Sequence, residues 1–416
     1  MPSKLCRALG AALLAVLVAA GSAGASTEPS RFFGVVAQSN PSDAEFERMH
    51  KAGVSTYRMA ITWPAVQSSA GGPFDWTGTD RLVADLTENR IEPLPVLYGS
   101  PCFVVACDPR DGGQASPRPP TESPQAELAW AGFLGEVVDR YGPGGRFWSE
   151  HPSLPQRPPR VWQVWNEPNV PQFYAPTPSV EGYTELLRIS SHAIRSTDPG
   201  ATILIGGLPG DPGKRGSIEG TAFLEGLYGA GARAYFDAVA LHPYSPGVAG
   251  VRNQLVDVRT VLDAHNDFDT SIWVTELGWG ATPSGDGRFV KTIDGQAETL
   301  LGAFGLMAAK RKEWNIDRAL WYAWRDPPPD QPACSWCRTA GLFDAAGEAR
   351  PSWAAFTALS TGTEESVPPE VALPPETDDS EDDTPPRWVV VAAAVALCLA
   401  AGAFLLLRRS RARRLR

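Results

Sequence analysis

Between Arg31 and about Ser360 the chain alternates two patterns eight times. A short apolar run comes first, then a loop and a stretch with apolar residues at helical spacing. The apolar runs are "FFGVVA" from Phe32, "STYRMAI" from Ser55, "IEPLPVLY" from Ile91 and "RVWQVW" from Arg160. They continue with "TILIGG" from Thr202, "FDAVALH" from Phe236, "SIWVTEL" from Ser271 and "RALWYAW" from Arg318. Most are apolar throughout, the pattern of parallel strands covered on both faces. Between them, "SDAEFERMHKAG" opens on a serine cap and closes on glycine. "SPQAELAWAGFLGEVVDRYG" and "GQAETLLGAFGLMAAK" carry apolar residues on one helical face. Strand–helix alternation predicts a parallel sheet. Eight units in about 330 residues fit an α/β fold closed as a (β/α)8 TIM barrel with long loops. A doubly wound open sheet is the rival topology. It is disfavoured because no Gly-x-Gly-x-x-Gly follows the first strand.

The two ends break this pattern. Lys4 and Arg7 precede the run "ALGAALLAVLVAA", and Ala23-Gly24-Ala25 offers a small-residue cleavage site. Residues 1–25 therefore read as a secretory signal peptide. Near the other end, Trp388 to Leu407 supplies 20 uncharged residues, about the number that crosses a bilayer as a helix. Six arginines follow in "RRSRARRLR", residues 408–416. Positive charge stays cytoplasmic, so a single-pass protein with its body outside the cell membrane is expected. "LPPETD" does not match the Leu-Pro-any-Thr-Gly signal of sortase anchoring. Residues 361–387 hold nine acidic residues and one arginine and show no apolar periodicity. They read as a disordered acidic stalk. The barrel is left with residues 26–360. The formal charge of −10 argues against nucleic acid as a partner.

Four of the six cysteines fall in the exported body: Cys102 and Cys107 in "CFVVAC", Cys334 and Cys337 in "CSWC". In an oxidising compartment disulfides are the default. Pairing within each motif is expected, with cross-pairing or a four-cysteine zinc site as the alternatives.

Candidate chemistry collects at the carboxyl ends of the apolar runs. The second run offers Arg58. The fourth ends in "WNEPN", with Asn166 and Glu167 before Pro168, and a proline cannot continue a strand ladder. The sixth gives His242 and Tyr244, the seventh Glu276, and the eighth Trp321, Trp324 and Asp326. In a barrel these ends share one face, where (β/α)8 enzymes keep their active sites. Glu167 and Glu276 are 109 residues apart, which puts them on the fourth and seventh strands, across the mouth. Retaining cleavage of a glycosidic bond needs two carboxyl groups about 5–5.5 Å apart. One stays protonated and one ionised, and proximity drives their pKa values apart. Arg58 would keep the nucleophile ionised, and Tyr244 can donate to it. Aromatic side chains suit sugars because pyranose rings present apolar C–H faces. No His, Asp or Glu cluster has metal-ligand spacing along the chain, so neither metal nor organic cofactor is expected.

"WNEPN" on the fourth strand with "TELGW" on the seventh resembles the clan of retaining (β/α)8 glycoside hydrolases that includes the cellulase-like family 5 and family 39. The resemblance spans the barrel. It implies that Glu167 is the acid/base, Glu276 the nucleophile and Asn166 the ligand of the sugar 2-hydroxyl. By the same resemblance "YRMAITW" supplies Arg58, "HPY" supplies His242 and Tyr244, and "WYAW" supplies a tryptophan, Trp321 or Trp324, that floors the sugar subsite. The activity implied is hydrolysis of an O-glycosidic bond in a polysaccharide or glycoconjugate. A non-catalytic glycan-binding surface protein and a transglycosylase share these residues. Asp326 reads equally as a substrate ligand or a loop cap.

Overall fold

The computed structural model describes residues 31–107, 116–210, 213–331 and 333–362. The segments read as signal peptide, membrane span and basic tail, and the stalk beyond Gly362, lie outside the described residues. Among the described residues no helix is long and apolar enough to cross a membrane.

Eight strands form the barrel: β1 (Phe33–Val36), β2 (Thr56–Thr62), β3 (Glu92–Tyr98), β4 (Val161–Val164), β5 (Thr202–Ile205), β6 (Ala238–His242), β7 (Ser271–Leu277) and β8 (Ile316–Tyr322). Each pairs in parallel with its neighbours in sequence. The ring closes through β1 and β8, where Phe33 faces Ala319 and Val36 faces Tyr322. All eight apolar runs are strands. The open-sheet rival is excluded by the closure.

The principal helices are α1 (Asp43–Lys51), α2 (Thr77–Glu88), α3 (Pro124–Tyr141), α4 (Val180–Thr197), α5 (Gly220–Gly229), α6 (Val248–Ala264), α7 (Ile293–Ala309) and α8 (Pro351–Thr361). Their starts are set locally. Ser123 accepts from Ala126 N at 3.2 Å with Pro124 in the first turn of α3, and Thr292 accepts from Gly295 N at 3.0 Å at the start of α7. Such caps occupy amide groups that a helix leaves unpaired.

Two apolar layers hold the molecule. Val36, Leu94, Leu204, Ala238, Ala240, Trp273 and Leu320 fill the barrel interior. The second layer, between strands and helices, is larger and includes Trp63, Trp130, Trp162, Trp165, Trp279, Trp321 and Trp324. Gly34 shows how tight the interior is. A Cβ there would lie 2.5 Å from Thr56 O and 2.8 Å from Leu320 Cγ.

Strand alternation sorts side chains between these layers. On β8, Leu320 faces the interior and Tyr322 packs against the same cluster, whereas Ala319 and Trp321 belong to the outer layer. The β7–β8 register slips here: Ala319 pairs with Val274, but Trp321 pairs with Leu277. The irregularity falls at Thr275 and Glu276, and such bulges re-aim side chains beside active sites.

Candidate active site

The carboxyl end of β4 places the first carboxylate. Trp165 follows the strand with φ 70° and Glu167 has φ 42°, both in the left-handed region. Non-glycine residues occupy it at a cost of about 1–3 kcal/mol and only where their surroundings enforce it. The enforcement is visible. Trp165 is fully buried; its backbone N donates to Leu97 O at 2.9 Å, and its Nε1 donates to Phe173 O at 2.6 Å. This turn lifts Glu167 out of the strand and over the mouth.

Glu276 reaches the same mouth from β7. Oxygens of Glu167 and Glu276 and a ring nitrogen of His242 all lie within 4.8 Å of one another. Both glutamate side chains are 13% exposed, so solvent reaches them from one side only.

Their surroundings differ. Glu276 Oε1 accepts a short, charged hydrogen bond from Arg58 Nη1, and its Oε2 accepts from Tyr244 Oη at 2.8 Å. Burial alone would push its carboxyl up. The His242 ring and the Arg58 guanidinium, with donors from Tyr244 and Arg58, outweigh burial and hold it below its ordinary value. Among the described residues no guanidinium pairs with Glu167. Its Oε1 lies 2.8 Å from His242 Nδ1. Tyr244 is pushed well above the usual phenol value, by burial first and by the Glu276 charge second. It therefore stays a hydrogen donor.

Arg58 ties three strands together. Besides Glu276 it donates from Nη2 to Asn166 Oδ1 at 2.7 Å and from Nε to Gln163 Oε1 at 3.0 Å. With its oxygen engaged, Asn166 turns its NH2 group away from Arg58. His242 is fully buried. Its Nε2 lies 3.0 Å from Thr275 Oγ1, and Gly207 makes room for the ring: a Cβ there would sit 2.0 Å from Nε2.

The fold thus brings Glu167, Glu276, Asn166, Arg58, His242 and Tyr244 together. It does not bring Trp321 or Trp324 to them, and the expected tryptophan floor is corrected. Trp321 is in the outer layer and donates to Ala340 O at 3.1 Å. Trp324 donates to Glu45 Oε1 at 3.0 Å and packs against Phe343 and Trp353. Asp326 is a loop clamp, accepting from Arg350 Nη2 at 2.5 Å and from Gly341 N at 2.8 Å. The residue that faces the mouth from β8 is Tyr322, whose hydroxyl is pushed up by burial first and by Glu276 second.

Gln163, Thr275, Gly207 and Tyr322 were missed in the sequence. Gln163 and Thr275 had a signal, each being a polar residue inside an apolar strand. Glu167, His242 and Glu276 also offer three ligand atoms close enough to hold a metal ion, a grouping that spacing along the chain does not show. A cation bound there would have to compete with Arg58 and Tyr244 for both oxygens of Glu276.

Both cysteine pairs close within their motifs, Cys102–Cys107 with Cα atoms 5.3 Å apart and Cys334–Cys337 with 5.0 Å, ordinary spans for disulfides.

No family model and no curated protein matches the chain. Solved structures do. A family 39 glycoside hydrolase from the gut symbiont Bacteroides cellulosilyticus superposes with TM-score 0.58 at 22% identity, over 80% of this chain and 64% of that one. A monomeric β-xylosidase from Caulobacter crescentus gives 0.57 at 19% identity, over 80% and 69%. A family 5, subfamily 18 enzyme from Bifidobacterium longum, in complex with Manβ1-4GlcNAc, gives 0.56 at 14% identity, over 81% and 79%. The chain spans less than two thirds of the first of these. It has the (β/α)8 fold of the glycoside hydrolases of families 39 and 5.

Proposed function

We propose that the chain is a retaining glycoside hydrolase held at the outer face of the cell membrane by its C-terminal helix. One observation carries the catalytic reading. Two carboxylates from β4 and β7 approach within 4.8 Å, and Arg58 neutralises only one of them. That separation suits double displacement, in which no water fits between the groups in the first step.

In the first half-reaction an ionised oxygen of Glu276 attacks the anomeric carbon. The bond to the leaving oxygen breaks, and that oxygen takes a proton from Glu167. In the second, Glu167 takes a proton from water, whose oxygen displaces Glu276. Arg58 and Tyr244 keep Glu276 ionised between turnovers. Asn166 presents its NH2 to the sugar 2-hydroxyl. His242, between Glu167 and Thr275, fixes the position of the acid/base.

The test is release of reducing ends or aryl groups by the full-length protein in detergent, across β-linked polysaccharides and aryl glycosides. Glu276→Gln is expected to lower turnover by roughly 10³-fold or more. Azide is expected to restore part of the rate to Glu276→Ala and give product of inverted configuration. Full activity in either variant removes Glu276 from the mechanism.

A further inference from the structure

A cavity of about 820 Å³ opens at the amino end of the barrel, on the face away from the two glutamates. Its lining comes from the segments that lead into the first four strands. Arg31 lies just before β1, Ser55 just before β2, Arg90 and Glu92 at the start of β3, and Arg160 just before β4. Parallel strands put all these positions on one face, the one that (β/α)8 enzymes do not use for chemistry. The loop before β4 closes the cavity, with Arg157 between Pro155 and Pro158.

Charge is unbalanced here. Four guanidinium groups line the cavity, against one carboxylate, that of Glu92. Glu92 is already engaged from outside the lining, by Arg318 Nη2 at 3.5 Å. Arg160 donates to Asp198 Oδ1 at 3.2 Å. Among the described residues the side chains of Arg31, Arg90 and Arg157 have no acidic partner. A chain of formal charge −10 thus gathers three uncompensated cations around one space. Like charges repel, so the arrangement is unfavourable until an anion lies between them.

The backbone holds these side chains in place. Arg90 has φ 59°, a left-handed conformation uncommon for residues other than glycine. Its N donates to Thr87 O at 3.0 Å, closing the turn between α2 and β3. Arg157 stands in "LPQRPPR", where proline rings fix φ on both sides of it. The charges are therefore presented from constrained segments and not from a floppy loop.

We propose that this cavity binds a small phosphate-bearing ligand with at least two negative charges, a diphosphate group being the simplest case. A guanidinium pairs two N–H groups with two phosphate oxygens. Several free guanidiniums around one space outnumber what a single carboxylate can satisfy. The volume is that of a small-molecule pocket, larger than one ion needs. The site is separate from the mouth, and the proposal does not rest on the glycosidase reading.

The experiment is calorimetric titration of the full-length protein in non-ionic detergent at low salt, with inorganic pyrophosphate, geranyl diphosphate and citrate. Pyrophosphate is expected to bind with Kd below about 1 mM and more weakly in about 0.5 M NaCl. The triple variant Arg31→Gln/Arg90→Gln/Arg157→Gln is expected to weaken it about tenfold or more, with an unchanged far-ultraviolet spectrum. If the triple variant does not fold, Arg31→Gln/Arg157→Gln decides, since it leaves the Arg90 turn intact. Geranyl diphosphate binding more tightly than pyrophosphate, and equally sensitive to the variant, supports the site and assigns a lipid-borne ligand. Equal or weaker binding supports the site with a soluble one. Citrate binding as tightly as pyrophosphate overturns the phosphate assignment. Absence of pyrophosphate binding to the wild type, or binding unchanged in the folded variant, overturns the site.

Discussion

Arg58 holds Glu276, Asn166 and Gln163 at once, so its removal has two separable effects. The first is on chemistry. Arg58→Met removes one of the causes that hold the Glu276 carboxyl low, beside His242 and Tyr244. The acid limb of the rate profile is expected to move to higher pH, read from kcat/KM between pH 3 and 8. The second is on stability. In the wild type the native Glu276 releases its proton below the ordinary glutamate value of about 4.3. Its contribution is therefore complete above that value and is lost as pH falls through the lowered one. In Arg58→Met this stabilising contribution is expected to be smaller, so stability changes less on acidification than in the wild type. Breaking a buried pair on one side costs about 3–5 kcal/mol, to be read from denaturant unfolding at pH 7 against pH 4. The two glutamates were readable in the sequence because "WNEPN" and "TELGW" set carboxylates against apolar strands. Their partners were readable only in part. Arg58 and Tyr244 stand at strand ends, whereas Gln163 and Thr275 sit inside strands, where a polar residue is easily taken for core.

Strand ends set which side chains reach the mouth. On β8 the tryptophans were chosen by residue type, although Leu320 and Tyr322 share the inward phase and Trp321 lies in the opposite one. Period two alone would have pointed to Tyr322. The Glu167–His242–Glu276 cluster shows no metal-ligand spacing along the chain, since its members follow three strands, although strand-end placement already puts all three on one face. The turn after β5 provides a test at this scale. In Gly207→Ala the new Cβ would occupy the space of His242 Nε2, so the ring must shift away from Thr275 and Glu167. A misplacement of about 1 Å costs on the order of 10²-fold in rate. The expected outcome is a fall of that size in kcat with a near-native far-ultraviolet spectrum. An unchanged kcat would separate His242 from catalysis.

At the scale of the molecule, eight strand–helix units were legible because each strand is apolar on both faces and each helix on one. The ends were legible only as composition. Trp388 to Leu407 is outside the described residues, and membrane attachment stands on those 20 uncharged residues and the arginines after them. The full chain is expected to sediment with membranes and to enter solution only with detergent, while a chain stopped at Gly362 is expected in the supernatant. Protease added to intact cells is expected to remove the barrel. Recovery of the full chain in the soluble fraction would end the anchoring proposal.

The seam between β1 and β8 has a consequence for how the protein is made. Phe33 meets Ala319 there, and Trp324 reaches across the same seam to Glu45 of α1. These partners are separated by nearly the whole folded body, and contacts of such long sequence separation form slowly. Until β8 has been synthesised and delivered, β1 keeps an unpaired edge, and exposed edges of this kind invite aggregation. The nascent chain must therefore be kept from its neighbours until its last strand arrives. Variants that weaken this seam are expected to lower yield before they lower the activity of the molecules that do fold.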